Sequence, residues 1–404
     1  MALSKGISKK IAYKKEGAGT WGVLAGAAGS KYLRRVTGNF NLKKEVYESN
    51  EMNTAYQLVD SRHGVRSADG SLNGELSPGS YSDFMGSILA KDFTTGITTS
   101  SASVTIAASG SFFTITRSTG SFITDLLYVG SVVRLVGAGL NAANVGNNLL
   151  VVALSATVMT VRVLSGTPLV VEGPIATVTA VVTGKQTLAP LTAHTDDSYT
   201  VEEWYSDIAQ SEVYTGMKVG TMNVQLPSTG LVTCDFSFMG KDLTQVGTSQ
   251  YFTSPTASGT TSTLASVSGA LIVNGAAVAL ITSLDFTVER AMENATVVGS
   301  NSIADMFTGR IKVNGNISTY FQDAVFRDYF KDETVVSIVV AVTGGQGKTD
   351  DVISFVLPKV KLGSFDKADA ENGIVASQSF QALLNSDVAT GLPATTIMIQ
   401  DTSI

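Results

Sequence analysis

Gly344-Gly345-Gln346-Gly347-Lys348-Thr349 carries the residue types that end a phosphate-binding loop, where backbone N–H groups wrap a phosphate and a lysine neutralises it. Such a loop needs a further glycine where this chain has Val342, and a helix N-terminus behind it. Here Asp350-Asp351 leads instead into Val352-Ile353-Ser354-Phe355-Val356-Leu357-Pro358, so the string is expected to be a hairpin turn. Asp60-Ser61-Arg62-His63 holds hydrolase-triad residue types, but contiguous residues cannot adopt triad geometry, and no nucleophile-elbow pattern occurs. Cys234 lies in the alternating run Leu231 to Phe238, the place of a small core residue. His194 has only Asp196 and Asp197 near it, and a turn before a strand accounts for both carboxylates. Glu202, Glu203 and Asp207 could share a proton, but alternation sends Glu202 and Trp204 to one face and Glu203 and Tyr205 to the other. That mixture suits a strand lying between subunits, and Glu202, Glu203, Trp204 and Tyr205 are expected to form one. The expectation is a protein that is not an enzyme and uses no cofactor or metal.

The elements around these residues read as strands. Of 404 residues only 15% are charged and 44% are hydrophobic, with 39 Gly and 8 Pro, a balance that builds many short strands. One cysteine and two histidines exclude an internal disulfide and a Cys/His zinc cage. The net charge of −6 argues against a basic surface that grips nucleic acid. The start MALSKGISKKIAYKKEGAG is basic but no apolar core follows, so no signal peptide is expected. Leu149 to Leu154 and Val335 to Val342 are strand-sized, well below the roughly 20 residues of a membrane span. So low a charge suggests a surface covered by copies of the same chain.

The chain echoes itself. Leu72-Asn73-Gly74-Glu75-Leu76-Ser77 resembles Val313-Asn314-Gly315-Asn316-Ile317-Ser318, and the match runs on until Phe84, Met85, Ile88 and Leu89 fall opposite Val325, Phe326, Tyr329 and Phe330, each set one face of a short helix. Asn39 to Lys44 resembles Asp285 to Arg290, Val224 to Pro227 resembles Phe355 to Pro358, and Gly230 to Thr233 resembles Gly373 to Ala376, all in the same order. Between the first helix and the strand Tyr199 to Tyr205 lie extra alternating runs that read as an all-β domain inserted in an exposed loop. The expected layout is a mainly β chain with two tandem β-sandwich domains, each flanked by one helix. Residues 1–95 with 186–245 make the first, 96–185 the insert, 246–269 a linker and 270–404 the second.

From Glu48 through Gln57-Leu58-Val59-Asp60-Ser61-Arg62-His63-Gly64 to Gly74-Glu75-Leu76-Ser77-Pro78-Gly79-Ser80-Tyr81-Ser82-Asp83-Phe84, the sequence resembles the major tail tube proteins of long-tailed, non-contractile (siphovirus-type) bacteriophages. Tyr199 to Tyr205 and Phe236 to Asp242 are also similar to strings of that family. The insert has only a general likeness to immunoglobulin-like decorations. The resemblance implies tail-tube domains whose inner sheets join into one barrel around a lumen, six domains to a ring. It implies stacking of rings through a long early loop, here Lys43 to Gly64, with Glu48, Asn50, Glu51, Gln57, Asp60 and Arg62 as its expected contacts.

With two such domains per chain, three chains would make a pseudo-hexameric ring; the alternative is a hexamer. The implied partners are further copies, the tape measure protein, tail terminator and tail-tip proteins, and double-stranded DNA that passes through the lumen during ejection without specific binding. The implied location is the virion tail, after synthesis in the bacterial host cytoplasm, with no membrane. The loops Lys43 to Gly64 and Gly247 to Gly269 are expected to order on assembly. A multidomain β-sandwich adhesin or tail-tip host-binding protein is the competing reading, and a glycan depolymerase would need a carboxylate pair that the sequence does not offer.

Overall fold

In the computed structural model residues 3–52, 54–278, 280–368 and 373–404 are described. Period-two alternation builds nearly everything. A first set of elements comprises β1 (Lys9–Lys15), β2 (Thr37–Glu48), β3 (Ser61–Glu75), α1 (Ser82–Ile88), β4 (Tyr199–Tyr205), β5 (Gln210–Pro227), β6 (Thr233–Gly240) and β7 (Asp242–Gly247). A second set comprises β8 (Gly269–Val273), β9 (Ile281–Ala295), β10 (Asp305–Tyr320), α2 (Val325–Lys331), β11 (Val336–Thr343), β12 (Val352–Leu362), β13 (Asp366–Ala368), β14 (Val375–Ala382) and β15 (Met398–Asp401).

The two sets pair alike. In one layer β2-β3-β6-β5 is matched by β9-β10-β14-β12. In the other, β1-β4-β5-β7 is matched by β8-β11-β12-β15. Even the irregularities recur: the register shifts between Lys44 and Val46 in β2 and between Arg290 and Met292 in β9, and again between Tyr199 and Val201 in β4 and between Val336 and Ile338 in β11. Gly230 and Gly373, which open the matching turns, both take left-handed φ values, +118° and +149°, that a side chain would strain.

Registers differ from the string matches. Phe40 pairs with Gly70 and Phe286 with Gly315, so Gly315 corresponds to Gly70, four residues from the Gly74 that the string aligns with it. A slip by an even number keeps every side chain on its face, so alternation cannot detect it. The likeness of Val224-Pro227 to Phe355-Pro358 has no counterpart in the pairing. The shared register shift aligns Tyr214, the partner of Val201, with Leu357, the partner of Ile338.

One sheet crosses between the sets. Thr221–Pro227 of β5 pairs with Ser283–Glu289 of β9, which makes the continuous order β2-β3-β6-β5-β9-β10-β14-β12. Beneath it runs one core, in which Phe84 meets Tyr199, Phe236 and Phe238 at ring-centroid distances of 5.2, 5.6 and 5.2 Å.

Residues 102–182 close into a six-stranded antiparallel barrel, ordered Val158–Val163, Phe112–Arg117, Ala102–Ser109, Glu172–Val182, Val132–Val136, Leu149–Leu154. The likeness to an immunoglobulin-like sandwich gives way here to full closure, which leaves no unpaired edge. Glu172–Val182 permits it by bending, with register shifts between Glu172 and Ile175 and between Ile175 and Val178, so that it pairs with one strand at each end.

The barrel is docked on the second set. Val129, Val132, Leu150 and Val152 share an apolar cluster with Ala270, Ile272, Val339, Ala341, Val352 and Val356. The stalk strand Lys185–Leu188 pairs with β15. Gly344 to Thr349 is the turn between β11 and β12, and it forms the barrel's seat: Lys348 Nζ donates to Ala143 O at 3.0 Å, and Ser165 Oγ to Gly347 O at 2.6 Å.

The segment after β7 is anchored at both of its ends. Thr253 N donates to Ala27 O, Thr256 N to Ser30 O and Leu264 N to Leu76 O, while Phe252 and Leu264 are buried. The Ser/Thr/Gly composition that suggested a loop awaiting order belongs to an extended strap anchored through its backbone at Thr253, Thr256 and Leu264.

Candidate assembly surface

The β5–β9 joint has an open counterpart. Its cover extends over α1: Arg290 of β9 is buried, and its Nη1 donates to Ser87 O at 3.5 Å. Phe84, Met85, Ile88 and Leu89 are all buried. On α2 no residue is fully buried, Val325 is 44% and Phe330 39% exposed, and Leu280, Phe321, Val335 and Ile374 add exposed apolar surface around them. By the shared register Phe40 stands where Phe286 does and Lys44 where Arg290 does. β2, the counterpart of β9, pairs with β3 but has no strand partner on its other edge among the described residues. At the far end, β13 continues the path of β12 as the second half of β5 continues the first, and among the described residues it pairs only with β14.

Two side chains occupy the open edge of β2. Lys9 Nζ donates to Gly38 O at 2.9 Å, the Phe40 N–H donates to Glu203 Oε1 at 2.9 Å, and the two side chains form an ion pair at 2.6 Å. Gly38 and Phe40 are two apart, so these groups point to one side, the side an added strand would use. Glu203 also accepts the Tyr205 hydroxyl. Glu202 is buried and accepts from Ser211 Oγ and from the N–H groups of Tyr251 and Phe252.

Within the chain, the strand Glu202, Glu203, Trp204 and Tyr205 expected between subunits has both backbone edges paired. β4 is an interior strand, paired with β1 on one edge and β5 on the other. Both carboxylates are spent inside the chain, while Trp204 and Tyr205 are half-buried. Alternation predicted the faces correctly but could not supply the strand's neighbours.

The crossing sheet has one apolar and one polar face. Its polar face runs unbroken across the strands as Thr37, Asn73, Asp235, Asn223, Thr287, Asn314, Gln381 and Lys361, each paired with the next. A flanking row carries Ser71, Ser237, Thr221, Glu289 and Lys312. Hydroxyls and amides prevail, and its charges are of both signs: Lys43 pairs with Asp69 on this face, and Asn316 Nδ2 donates to Asp285 Oδ2 at 3.1 Å. The barrel packs on the far side of the other layer.

β2 with β3, and β9 with β10, form two hairpin arms. Lys43 to Gly64 is thus not one loop: residues 43–48 and 61–64 belong to the paired strands, and residues 49–52 and 54–60 make the tip. Glu48, Asn50, Glu51, Gln57, Asp60 and Arg62 are all exposed there, with Arg62 Nε 3.2 Å from Asp60 Oδ2. Residues 296–304 make the tip of the second arm, which lies on the first: Arg66 N donates to Asn301 O at 2.8 Å, Arg66 forms a parallel bridge with Ser302, and Ile303 is 1% exposed. Lys9, Gly38, Arg66 and the exposed side of α2 were not singled out from the sequence, since nothing local distinguishes an open edge from a covered one.

Burial pushes the Cys234 thiol well above its ordinary range, which keeps it protonated. Among the described residues no group of three or more His, Cys, Asp or Glu side chains could hold a metal ion, and no helix is long and apolar enough to cross a membrane. No curated protein matches the chain. A family model described as phage tail tube protein matches residues 6–382, nearly the whole length over which the paired sets, their joint and the open edges are built, and the chain belongs to that family.

Proposed function

We propose that this chain is the major tail tube subunit of a siphovirus-type phage, and that three copies close one pseudo-hexameric ring. Family membership implies a structural, self-assembling role in the tail of the virion. The observation that supports the trimer is the contrast between α1, covered by β9 of its own chain, and α2, left half bare in the same place. Each chain then contributes two tail-tube domains and one internal joint, and the next copy's β2 supplies the missing cover. In the register of β5 on β9, Asp366 lies opposite Asn41 of the next copy and Ser364 opposite Lys43. The β2 edge is capped by Lys9 and Glu203 until a partner strand displaces them, a means of blunting an edge before assembly.

In that ring the polar face turns to the lumen and the barrel decorates the outside. A wall of amides and hydroxyls with charges of both signs offers phosphates no dense cationic surface, so double-stranded DNA slides through during ejection. Glu48, Asn50, Glu51, Gln57, Asp60 and Arg62 on the first arm's tip meet the next ring, while the tape measure protein fills the lumen before DNA, and terminator and tip proteins close the ends. The subunit is made in the host cytoplasm. Cryo-electron microscopy of assembled tubes tests the reading: three chains per ring are expected, and six chains per ring would refute it.

A further inference from the structure

The arms contain a second joint that the sheet pairing does not include. Beyond its last residue paired with β6, Ala68, the strand β3 has a free stretch of edge, and the second arm's tip lies on it through Arg66, Asn301 and Ser302. Ile303, next to the bridge, is buried there. β10 has the same free stretch: its pairing with β14 ends at Val313, and among the described residues Asp305 to Lys312 pairs only with β9. Two routes give the same correspondence. Arg66 lies two residues beyond Ala68 and Ile311 two beyond Val313, and Lys44 pairs with Arg66 as Arg290 pairs with Ile311.

The first arm's tip matches the second's. Ser49 N donates to Asp60 O, closing its loop where Ala295 pairs with Asp305 in the other. Counted back from that closure, Leu58 holds the place of Ile303. Leu58 is 59% exposed where Ile303 is 1%. Val59 and Tyr56 beside it are also exposed, which leaves an apolar patch on a polar tip.

We propose that the tip of the first arm docks sideways on the free β10 edge of the next copy in the same ring, with Leu58 buried as Ile303 is buried within the chain. This rests on the side-by-side copies proposed above, and it assigns the arm a clasp within the ring, distinct from the polar contacts to the ring above. The occupant is a second copy of this chain, because the chain already contains one example of the contact and displays both halves of another.

The test joins Leu58→Cys with Lys312→Cys, both at exposed positions, in assembled tubes bridged by a short thiol-to-thiol linker. Buried Cys234 contributes no background. Asn41→Cys with Asp366→Cys reports the sheet joint in parallel. The expected result is covalent dimers and trimers from the arm pair, stopping at three chains. Ladders well beyond trimers would place the contact between rings and overturn the clasp. Linkage of the sheet pair alone would overturn it and leave the trimeric ring standing, whereas linkage of neither pair in tubes that do form would overturn both.

Discussion

Helix α1 and helix α2 follow equivalent hairpins and carry similar apolar residues, yet one is core and the other half surface. Phe84, Met85, Ile88 and Leu89 are buried: Phe84 packs on Tyr13, Tyr199, Phe236 and Phe238 of its own set, and β9, which continues the sheet past β5, lays Arg290 over the helix end at Ser87. Among the described residues Val325 and Phe330 have no such strand beside them. The same amphipathic pattern thus has two outcomes, and the helix that has a further strand beside it in cis is the buried one. Exposed apolar surface that has a buried equivalent within the same molecule marks the partner as another copy.

The largest effect should come from exchanging these roles. Phe84→Ala removes a fully buried ring and is expected to cost about 3–5 kcal/mol in chemical denaturation. Val325→Asp should change stability by no more than about 0.5 kcal/mol, as surface substitutions do, yet abolish tube formation seen by negative-stain microscopy. Normal tubes from Val325→Asp would break the comparison at its centre.

Next is the capped edge. Glu203→Ala strands Lys9, whose side chain is 12% exposed, without its partner; a loss of about 3 kcal/mol is expected by denaturant titration. A loss well under 1 kcal/mol would mean that the pair does not hold β2 in the free chain. A smaller effect is expected from Asp366→Lys, which faces Lys43 diagonally across the proposed joint and adds on the order of 1 kcal/mol of like-charge repulsion. The protein concentration needed for assembly should rise severalfold, more at low salt, while the melting temperature stays put.

The smallest prediction concerns Asp401 on β15. Burial raises its carboxyl above the ordinary 3.8, against the opposing N–H donors of Gly79 and Ser403. A carboxyl whose folded pKa is raised favours the folded state below the unfolded value and loses that contribution as pH rises through the folded one. Asp401→Asn should therefore flatten the fall in stability above pH 3.8, measured as the difference from wild type across pH. An unchanged pH profile would show that the carboxyl does not control it.

Much of the fold was legible because alternation and punctuation are local. The strand content, both helices, the hairpin at Gly344 to Thr349 and the core place of Cys234 all follow from spacing. Register was not legible, since a slip of four residues leaves the pattern intact, and neither were the neighbours of β4. Glu202 and Glu203 look like surface carboxylates on an amphipathic strand, and only the strap at Tyr251 and the edge at Phe40 reveal what they bond.

By itself the sequence determined the period-two strands and the order of two similar sets of elements, because side-chain type and local spacing encode these. Tertiary structure alone decided which edges are covered, that the inserted segment closes as a barrel seated on the second set, and where the polar face runs. Those features depend on which strands, far apart in the chain, lie side by side, and local alternation carries no record of that.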